Sequence, residues 1–232
     1  MGAATRGHAI VVVDYHKGNL QSMERGLARA GGHAMVSDEP SVIEGAAGIV
    51  LPGVGAFADA VAFMTLTGQA QAITRAIAAG TPFLGVCLGM QLLFERGTEG
   101  AHAAAPGAEP GAAAWVPGLG VLRGQVDRLP DLPGAKVPHV GWNEVDQTPA
   151  AAACPLFAGV PDHERLYFTH SYACQPADQS QVMATTEHGR PFVSAVWDGG
   201  VVFGVQFHPE KSSDAGARVL ENFVRVAGGG RR

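Results

Sequence analysis

The sequence contains few cysteines and has no cluster of positive charge. Its three cysteines, at positions 87, 154 and 174, are odd in number and lack metal-type spacing. They predict neither a disulfide framework nor a zinc site, and they favour a reducing cytoplasm. Lys and Arg number 16 against 21 Asp and Glu, which gives a formal net charge of −5. Since there is no basic stripe, we expect no nucleic-acid binding, no metal and no cofactor, and partners that are small molecules or proteins.

Long apolar segments are also absent. No stretch of the sequence is long enough to span a bilayer, and the first residues lack the apolar core of a signal peptide. Arg6 occupies the position at which a myristoylation site requires Ser or Thr. The sequence therefore predicts a cytoplasmic protein that does not bind membranes.

The domain organisation is predicted to be simple. We expect one domain over residues 1–232, because this length suits a single large core and no internal repeat is present. Residues 98–118 are rich in Ala, Gly and Pro and have no periodicity, which predicts a flexible surface loop. The Gly- and Arg-containing end at residues 228–232 predicts a flexible tail.

The first hundred residues alternate between strand and helix patterns. Helical spacing follows the first apolar run, with Asn19 as the helix cap and Gly31 as its end, and it recurs at residues 69–79 and 88–96. Buried strands are predicted from four short apolar runs, at residues 9–14, 33–36, 48–51 and 81–86. This alternation favours a parallel sheet covered on both faces, with functional groups at the carboxyl ends of its strands.

The second half is dominated by strand patterns. Asp198-Gly199-Gly200 is typical of a turn between two of them, and a final helix is predicted after Ser212 and Ser213, which can cap it. The strand patterns occupy residues 165–172, 181–187, 193–198 and 201–206. The predicted fold class is α/β, with a central, mostly parallel sheet and additional antiparallel strands in the C-terminal half.

Cys87 lies at a predicted strand-to-helix turn, within Gly85-Val86-Cys87-Leu88-Gly89. Such a turn suits a nucleophile, because the flanking glycines tolerate strained backbone and the N-terminus of the helix favours a negative sulfur. A free cysteine is mostly protonated near neutral pH, so a nearby imidazole would be needed to activate it.

His208 is the histidine that the sequence places best. It follows an apolar run, Pro209 stiffens the exit from that strand, and Glu210 could orient the imidazole. A Cys-His-Glu triad is therefore predicted. His170 is the competing histidine, although a histidine between strand residues more often has a packed or hydrogen-bonded structural role.

Acyl chemistry also requires donors for an oxyanion. The backbone N–H groups of Gly53, Val54 and Gly55, at the end of another predicted strand, could supply them. Alone, this segment is more typical of a simple strand-to-helix turn. Its occurrence together with the cysteine and histidine segments favours the oxyanion loop.

The motifs together resemble those of class-I glutamine amidotransferases, in which the elbow carries Gly-x-Cys-x-Gly and the histidine and glutamate lie in His-Pro-Glu. The chain is more similar still to the glutaminase subunits of imidazole glycerol phosphate synthases, over nearly its whole length. That similarity is carried by Asp14-Tyr15 with Gly18-Asn19-Leu20, Pro52-Gly53-Val54-Gly55, residues 85–93, Pro138-His139-Val140-Gly141-Trp142-Asn143 and residues 206–212. The resemblance implies a three-layer α/β/α fold.

The resemblance also implies the chemistry of glutamine hydrolysis. Cys87 would attack the side-chain amide of glutamine to form a thioester, His208 would protonate the departing ammonia, and Glu210 would hold His208 in position. The glutamine-binding positions of the family are matched by Gln91, Ser171 and Tyr172. Ammonia would pass to a cyclase subunit that makes imidazole glycerol phosphate, a step of histidine biosynthesis.

Three further residues match positions that the family places at or near the interface with the cyclase: Asn19, Trp142 and Lys211. Each also has a simpler interpretation, as a helix cap, a core side chain and a solvated charge respectively. His16-Lys17 stands where many relatives have a glycine-containing turn, which leaves the contacts of that interface loop open.

Other functions are compatible with parts of the sequence. A class-I glutaminase subunit of a different synthase is disfavoured by residues 138–143. A regulatory protein without turnover would be expected to lack the nucleophile, the histidine or the carboxylate, and none is missing. A hydrolase of other gamma-glutamyl compounds should be fully active without a partner.

Overall fold

The computed structural model describes residues 9–101 and 114–228. Most of the predicted loop, residues 102–113, and residues 229–232 of the predicted tail lie outside the described residues. Gly228, the first residue of the predicted tail, is the last residue of a helix.

Helices occupy six segments of the described chain: α1 (Leu20–Arg29), α2 (Pro40–Glu44), α3 (Phe57–Thr67), α4 (Gln69–Ala78), α5 (Leu88–Gln91) and α6 (Ser213–Gly228). Short 3-10 helices lie at Pro149–Ala153, Pro155–Phe157, Gln179–Gln181 and Pro209–Lys211. No helix in the described ranges is both long and apolar enough to cross a membrane.

Thirteen strands are present in the same part of the chain: β1 (Ile10–Val13), β2 (Ala34–Ser37), β3 (Gly48–Gly53), β4 (Phe83–Cys87), β5 (Phe94–Gly97), β6 (Val116–Pro117), β7 (Leu122–Arg128), β8 (His139–Gln147), β9 (Glu164–His170), β10 (Tyr172–Pro176), β11 (Val182–Glu187), β12 (Pro191–Trp197) and β13 (Val202–Val205). The main path of the sheet is β2-β1-β3-β4-β13-β12-β10-β7-β5-β6.

The sheet is parallel through its first half and mixed beyond it. Strands β2, β1, β3, β4 and β13 run parallel. The next pairs, β13 with β12, β12 with β10 and β10 with β7, are antiparallel. Strand β11 pairs antiparallel with β12 and β8, and β8 pairs antiparallel with β9. The predicted fold class is therefore confirmed, including the antiparallel strands of the C-terminal half.

Helices cover both faces of the sheet, because successive strand residues point to opposite sides. Ile10 and Val12 of β1 pack in a cluster with residues of α1 and α6, including Met23, Leu27 and Phe223. Val11 and Val13 pack on the other face with residues of α2, α3 and α4, including Ile43, Met64 and Ile73. Each fully buried side chain of this size contributes about 1.5–3 kcal/mol. This burial stabilises the three layers.

The first βα unit forms as its sequence predicts. Asn19 is the N-cap of α1, and its Oδ1 accepts a hydrogen bond of 3.4 Å from the Ser22 backbone N–H. The helix ends before Gly31, which has a φ of 84°. Helices α2 and α3 lie in segments for which the sequence patterns predicted no element.

The helix expected at residues 88–96 is wrong beyond its first turn. Helix α5 ends at Gln91, and the chain returns to the sheet as β5, Phe94–Gly97. Phe94 is fully buried, and β5 pairs with β7 and β6. Pairing within the sheet overrides the helical spacing because it buries this apolar run between two partners.

Two further expectations need correction. The strand predicted at residues 165–172 is two strands, β9 and β10, which separate at Ser171 and pair with different partners. The hydroxyl of Ser212 does not cap α6: it accepts a hydrogen bond of 2.9 Å from the Tyr167 N–H and donates one of 2.6 Å to the His208 carbonyl. Ser212 thereby joins β9 to the segment that follows β13.

Candidate active site

Cys87 ends β4 at a sharp turn into α5. Its backbone has φ 55° and ψ −111°, a conformation that a residue with a side chain rarely adopts. Two residues on, Gly89 has no space for a side chain, because a Cβ there would overlap the Leu51 carbonyl oxygen. The predicted elbow is therefore present, and it presents the Cys87 thiol at the carboxyl end of the strand.

The helix after the elbow is shorter than expected. Helix α5 is a single turn of 4 residues. A helix macrodipole sums over aligned peptides, so one turn stabilises a negative sulfur less than a full helix would. Neighbouring side chains must therefore contribute more of that stabilisation.

His208 and Glu210 form a buried pair beside the elbow. His208 Nδ1 lies 2.9 Å from Glu210 Oε1, and both side chains are only 4% exposed. His208 follows β13, which pairs in parallel with β4, so the imidazole and the thiol leave the sheet at the same edge. Because Glu210 accepts a hydrogen bond from the Nδ1–H of His208, Nε2 is the nitrogen that remains for chemistry with Cys87.

The charge of His208 depends on its two neighbours. Burial lowers the pKa of His208, but the Cys87 sulfur and the Glu210 carboxylate outweigh burial and raise it from 6.5 to about 9. Nε2 is buried and has no hydrogen-bond partner within the described residues. The raised pKa favours the protonated form of His208.

His170 occupies a different environment from His208. Its Nδ1 lies 2.8 Å from the Tyr172 carbonyl oxygen, and its Nε2 lies 3.1 Å from His139 Nδ1. Burial lowers the pKa of His170 to about 3 and that of His139 to about 4. Both rings are neutral and have their nitrogens in hydrogen bonds, as the structural interpretation of His170 predicts.

A cavity of about 270 Å³ opens in front of Cys87. All three residues that match the glutamine-binding positions line it: Gln91, Ser171 and Tyr172. Glu99 and Thr169 also contribute to its wall. The structure thus brings the predicted nucleophile and the predicted substrate-binding residues to one cavity of a size suited to a small molecule.

The predicted oxyanion residues are divided between two positions. Val54 and Gly55 line the cavity. Gly53 is buried behind it, where the Tyr15 hydroxyl and Leu88 leave no room for a Cβ. Gly53 pairs with Cys87 in the β3–β4 register, so the loop begins directly beside the nucleophile.

The His16-Lys17 segment contacts this loop. The side chain of Lys17 lies over Gly55, and its Nζ makes an ion pair of 2.9 Å with Asp59 Oδ2 on α3. The Lys17 side chain is 40% exposed and that of Asp59 is 66% exposed, so the pair contributes little to stability.

Trp142 and Lys211 both lie close to the ring of Tyr167. The ring centroids of Trp142 and Tyr167 are 6.1 Å apart, and Lys211 Nζ lies 5.8 Å from the Tyr167 centroid. Trp142 is 50% exposed, so the expectation of a core side chain is wrong. Asn19 is exposed at the start of α1, where it acts as the helix cap.

Two site residues were not predicted from the sequence. Glu99 falls in the segment predicted as a loop, and its carboxylate accepts a hydrogen bond of 2.9 Å from the Phe57 N–H at the cavity wall. Burial raises its pKa. Gln206 is fully buried, and its Nε2 lies 3.5 Å from Cys87 Sγ. Gln206 lies in the segment 206–212 that resembles the family, but no local pattern indicated that Gln206 or Glu99 reaches Cys87 or its cavity, because that proximity depends on the whole sheet.

The remaining cysteines are packed in the interior. Cys154 and Cys174 are buried, and burial raises the pKa of Cys154 to about 11 and that of Cys174 well above its ordinary value. Across the described ranges, no three His, Cys, Asp or Glu side chains are grouped so that they could hold a metal ion.

Comparison with known proteins identifies relatives over almost the whole chain. Residues 11–227 match the family described as glutamine amidotransferase class-I. The imidazole glycerol phosphate synthase subunit HisH of Syntrophotalea carbinolica is 44% identical over 215 residues, 92% of this chain and 98% of that protein. The subunit of the same name from Symbiobacterium thermophilum is 45% identical over 217 residues, 94% of this chain and 93% of that protein.

Solved structures share the fold at lower identity. A protein from Thermoplasma acidophilum, described as a putative GMP synthase subunit, superposes with a TM-score of 0.66 at 20% identity, over 96% of this chain and 95% of that one. At this identity the similarity concerns the arrangement of helices and strands alone.

Proposed function

The chain belongs to the class-I glutamine amidotransferase family, and from this premise we propose that it is the glutaminase subunit of an imidazole glycerol phosphate synthase. It hydrolyses glutamine to glutamate and ammonia and supplies the ammonia to a cyclase subunit in histidine biosynthesis. One observation carries the proposed chemistry. Cys87 and the His208–Glu210 pair leave neighbouring parallel strands at the same edge, beside a cavity lined by Gln91, Ser171 and Tyr172.

The reaction follows from the charges of the triad. The Cys87 sulfur attacks the side-chain carbonyl carbon of glutamine, and the tetrahedral intermediate carries the negative charge on oxygen. As the C–N bond breaks, His208 Nε2 gives its proton to the leaving nitrogen, so ammonia departs neutral and a thioester remains. Water, deprotonated by the now neutral His208, attacks the thioester to release glutamate and the sulfur. Glu210 stabilises each imidazolium form of His208.

Glutamine recognition is assigned to the walls of the cavity. Glu99 places a carboxylate there, which suits the α-ammonium group of the substrate. Val54 and Gly55 supply backbone groups beside Cys87, where a donor to the oxyanion would accelerate the reaction by about 10²–10³. Gly53, which is buried behind them, contributes by shaping the turn.

The surface around Trp142 is proposed to bind the cyclase subunit. Val140 and Trp142 project from β8 with 58% and 50% exposure, an unusual amount for two neighbouring large apolar side chains. Lys211 borders them through Tyr167, and the Tyr167 carbonyl accepts a hydrogen bond of 2.8 Å from the His208 N–H. A partner on this surface would thus be separated from His208 only by Tyr167. Delivery through an enclosed route would keep ammonia unprotonated and nucleophilic.

The test is reconstitution with a cyclase subunit of imidazole glycerol phosphate synthase. Glutamate release by the purified chain is measured alone, with the cyclase, and with the cyclase and its nucleotide substrate. We expect release to rise in the complex and imidazole glycerol phosphate to form from glutamine. Full glutamate release without any partner would instead favour a gamma-glutamyl hydrolase. Absence of stimulation by this cyclase, with retained glutaminase activity, would favour a role in another synthase.

A further inference from the structure

Gln206 directly follows β13 and reaches the sulfur of the nucleophile. Its Nε2 lies 3.5 Å from Cys87 Sγ, and its Oε1 lies 3.0 Å from Gln91 Nε2. The side chain of Gln206 is fully buried, so water does not compete for either contact. A buried amide between the nucleophile and a residue of the substrate cavity is placed to affect both.

The orientation of this amide follows from the acceptor at the far end of the hydrogen-bond chain. Gln91 Nε2 lies 3.0 Å from the Tyr172 carbonyl oxygen, which can only accept, so the nitrogen of Gln91 must face it. The same nitrogen then donates to the oxygen of Gln206. The nitrogen of Gln206 is consequently directed at Cys87, and it is the donor in that contact.

In its second contact the sulfur is the donor rather than the acceptor. Cys87 Sγ lies 3.7 Å from the Thr169 carbonyl oxygen, to which a thiol donates but which repels a thiolate. Deprotonation therefore loses the bond to Thr169 and strengthens the bond from Gln206, because a hydrogen bond to a charged group is stronger. The single turn of α5 adds only a weak dipole.

We propose that Gln206 is a further catalytic residue, whose amide N–H stabilises the Cys87 thiolate while its carbonyl oxygen fixes the orientation of Gln91. The proposal rests on the proposed function, in which Cys87 is the nucleophile. In this proposal the two neighbours of the sulfur have different roles. His208 holds the proton, and Gln206 provides a fixed, uncharged hydrogen-bond donor. Because both hydrogen bonds that orient Gln91 use its side-chain nitrogen, its side-chain oxygen remains to bind the substrate.

Several other titratable groups lie near the sulfur. His208 and, behind it, Glu210 form the charged pair, Tyr15 and Cys174 also interact with Cys87, and Glu99, His170 and Tyr172 line the same cavity. Burial raises the pKa of both Tyr15 and Cys174, which favours their neutral forms. A substitution of Gln206 leaves all of these groups in place, so a change in the reactivity of Cys87 can be assigned to the lost amide.

The test is the pH dependence of Cys87 alkylation by iodoacetamide, followed on the Cys87 peptide by mass spectrometry, since only the thiolate reacts. Gln206→Met keeps the length of the side chain and removes the donor. We expect its alkylation midpoint to rise by about one pH unit or more, which is about a tenfold loss of thiolate at a given pH below the midpoint. An unchanged midpoint in folded Gln206→Met would overturn the proposal.

Two control variants separate the possible causes. Gln91→Met removes the neighbouring amide but leaves the donor to the sulfur, so a much smaller shift is expected together with an increased KM for glutamine. Asn222→Leu removes a buried amide that donates to the Leu156 and Ala158 carbonyls at 2.9 and 2.8 Å, away from the site. It is expected to leave the alkylation midpoint unchanged. A shift of equal size in Asn222→Leu would assign the effect to general loosening and overturn the proposal.

A second measurement needs no change at Gln206. In the unmodified chain, the side-chain amide protons of Gln206 should shift in the NMR spectrum with the same midpoint as alkylation, and this shift should disappear in Cys87→Ala. Amide signals that do not respond to pH would overturn the proposal even if Gln206→Met does not fold. Neither measurement uses glutamine or a cyclase, so an incorrect function and an incorrect role for Gln206 give different results.

Discussion

His139 and His170 face each other across the neighbouring strands β8 and β9, with 3.1 Å between His139 Nδ1 and His170 Nε2. The Tyr172 carbonyl accepts from His170 Nδ1, so His170 Nε2 is the acceptor in the pair and His139 Nδ1 is the donor. Asn143 Nδ2 completes the series at 3.2 Å from His139 Nε2. His170 therefore has no nitrogen left to activate Cys87, which leaves His208 as the histidine that can act on it.

His208→Ala should abolish most glutaminase activity while the protein stays folded. Loss of the general acid and base typically lowers the rate by about 10²–10⁴. Glutamate release by the complex with the cyclase measures the effect, and circular dichroism checks the fold. His170→Gln, which keeps a hydrogen-bonding side chain, should retain far more activity. The reverse order of the two rates would make His170 the active histidine.

Cys87→Ala should separate the two activities of the complex. Synthesis from glutamine is lost because no thioester can form, whereas the bound cyclase still uses added ammonium salt. The rates of imidazole glycerol phosphate formation from glutamine and from ammonium are compared in the same preparation. Equal loss of both rates would contradict the proposed division of labour.

The local geometry around Cys87 and His208 could be predicted from the sequence where one short segment carries both the residue and its turn. The elbow at Cys87 and the His208–Glu210 pair depend on local patterns, as does the capping of α1 by Asn19. Glu99 and Gln206 were missed because each reaches the site through strand pairings between distant segments. The helix predicted at residues 88–96 failed for the same reason, since burial of Phe94 and the pairing of β5 with β7 and β6 outweigh local spacing.

The pair of buried histidines, His139 and His170, should make the free energy of unfolding depend on pH. Burial lowers the pKa of His139 to about 4 and that of His170 to about 3, against about 6.5 in an unfolded chain. Below pH of about 6.5 the unfolded chain binds protons that the folded protein excludes, so stability is full above that pH and falls as pH decreases. We expect a loss of about 2–4 kcal/mol between pH 7 and 5 in urea unfolding.

A variant of one buried histidine should flatten this dependence. His139→Gln removes one of the two groups, so its loss of stability between pH 7 and 5 should be smaller than that of the unmodified chain. His163→Gln is the matched control, because His163 is exposed and Asp146 raises its pKa. An equal flattening by both variants would exclude the buried pair as the cause.

The glutaminase rate should fall in alkaline solution. The pKa of His208 is raised to about 9, so the imidazolium that protonates ammonia persists below that pH and is lost above it. In the complex with the cyclase, kcat/KM should decline through pH of about 9. Glu210→Gln should move the decline to lower pH, because the carboxylate no longer stabilises the charged ring. If kcat/KM of Glu210→Gln declines at the same pH as that of the unmodified chain, Glu210 does not stabilise the charged ring.

Trp142→Ala should weaken binding of the cyclase without unfolding the chain. A half-exposed aromatic side chain at the centre of an interface typically contributes about 2 kcal/mol or more, so the Kd measured by calorimetry should rise by at least about 30-fold. Leu66→Ala is the matched control, because Leu66 is 88% exposed on α3. A Kd that is unchanged in Trp142→Ala, or raised equally in Leu66→Ala, would place the interface elsewhere.

Strand β13 is inserted between β4 and β12, and it brings Gln206 beside Cys87 across 119 positions of the chain. During translation the thiol therefore leaves the ribosome long before His208, Glu210 and Gln206 are made. A nascent or partly folded chain has its cysteine without these neighbours until β13 docks between β4 and β12. Assembly of the site is thus one of the last steps in folding this chain.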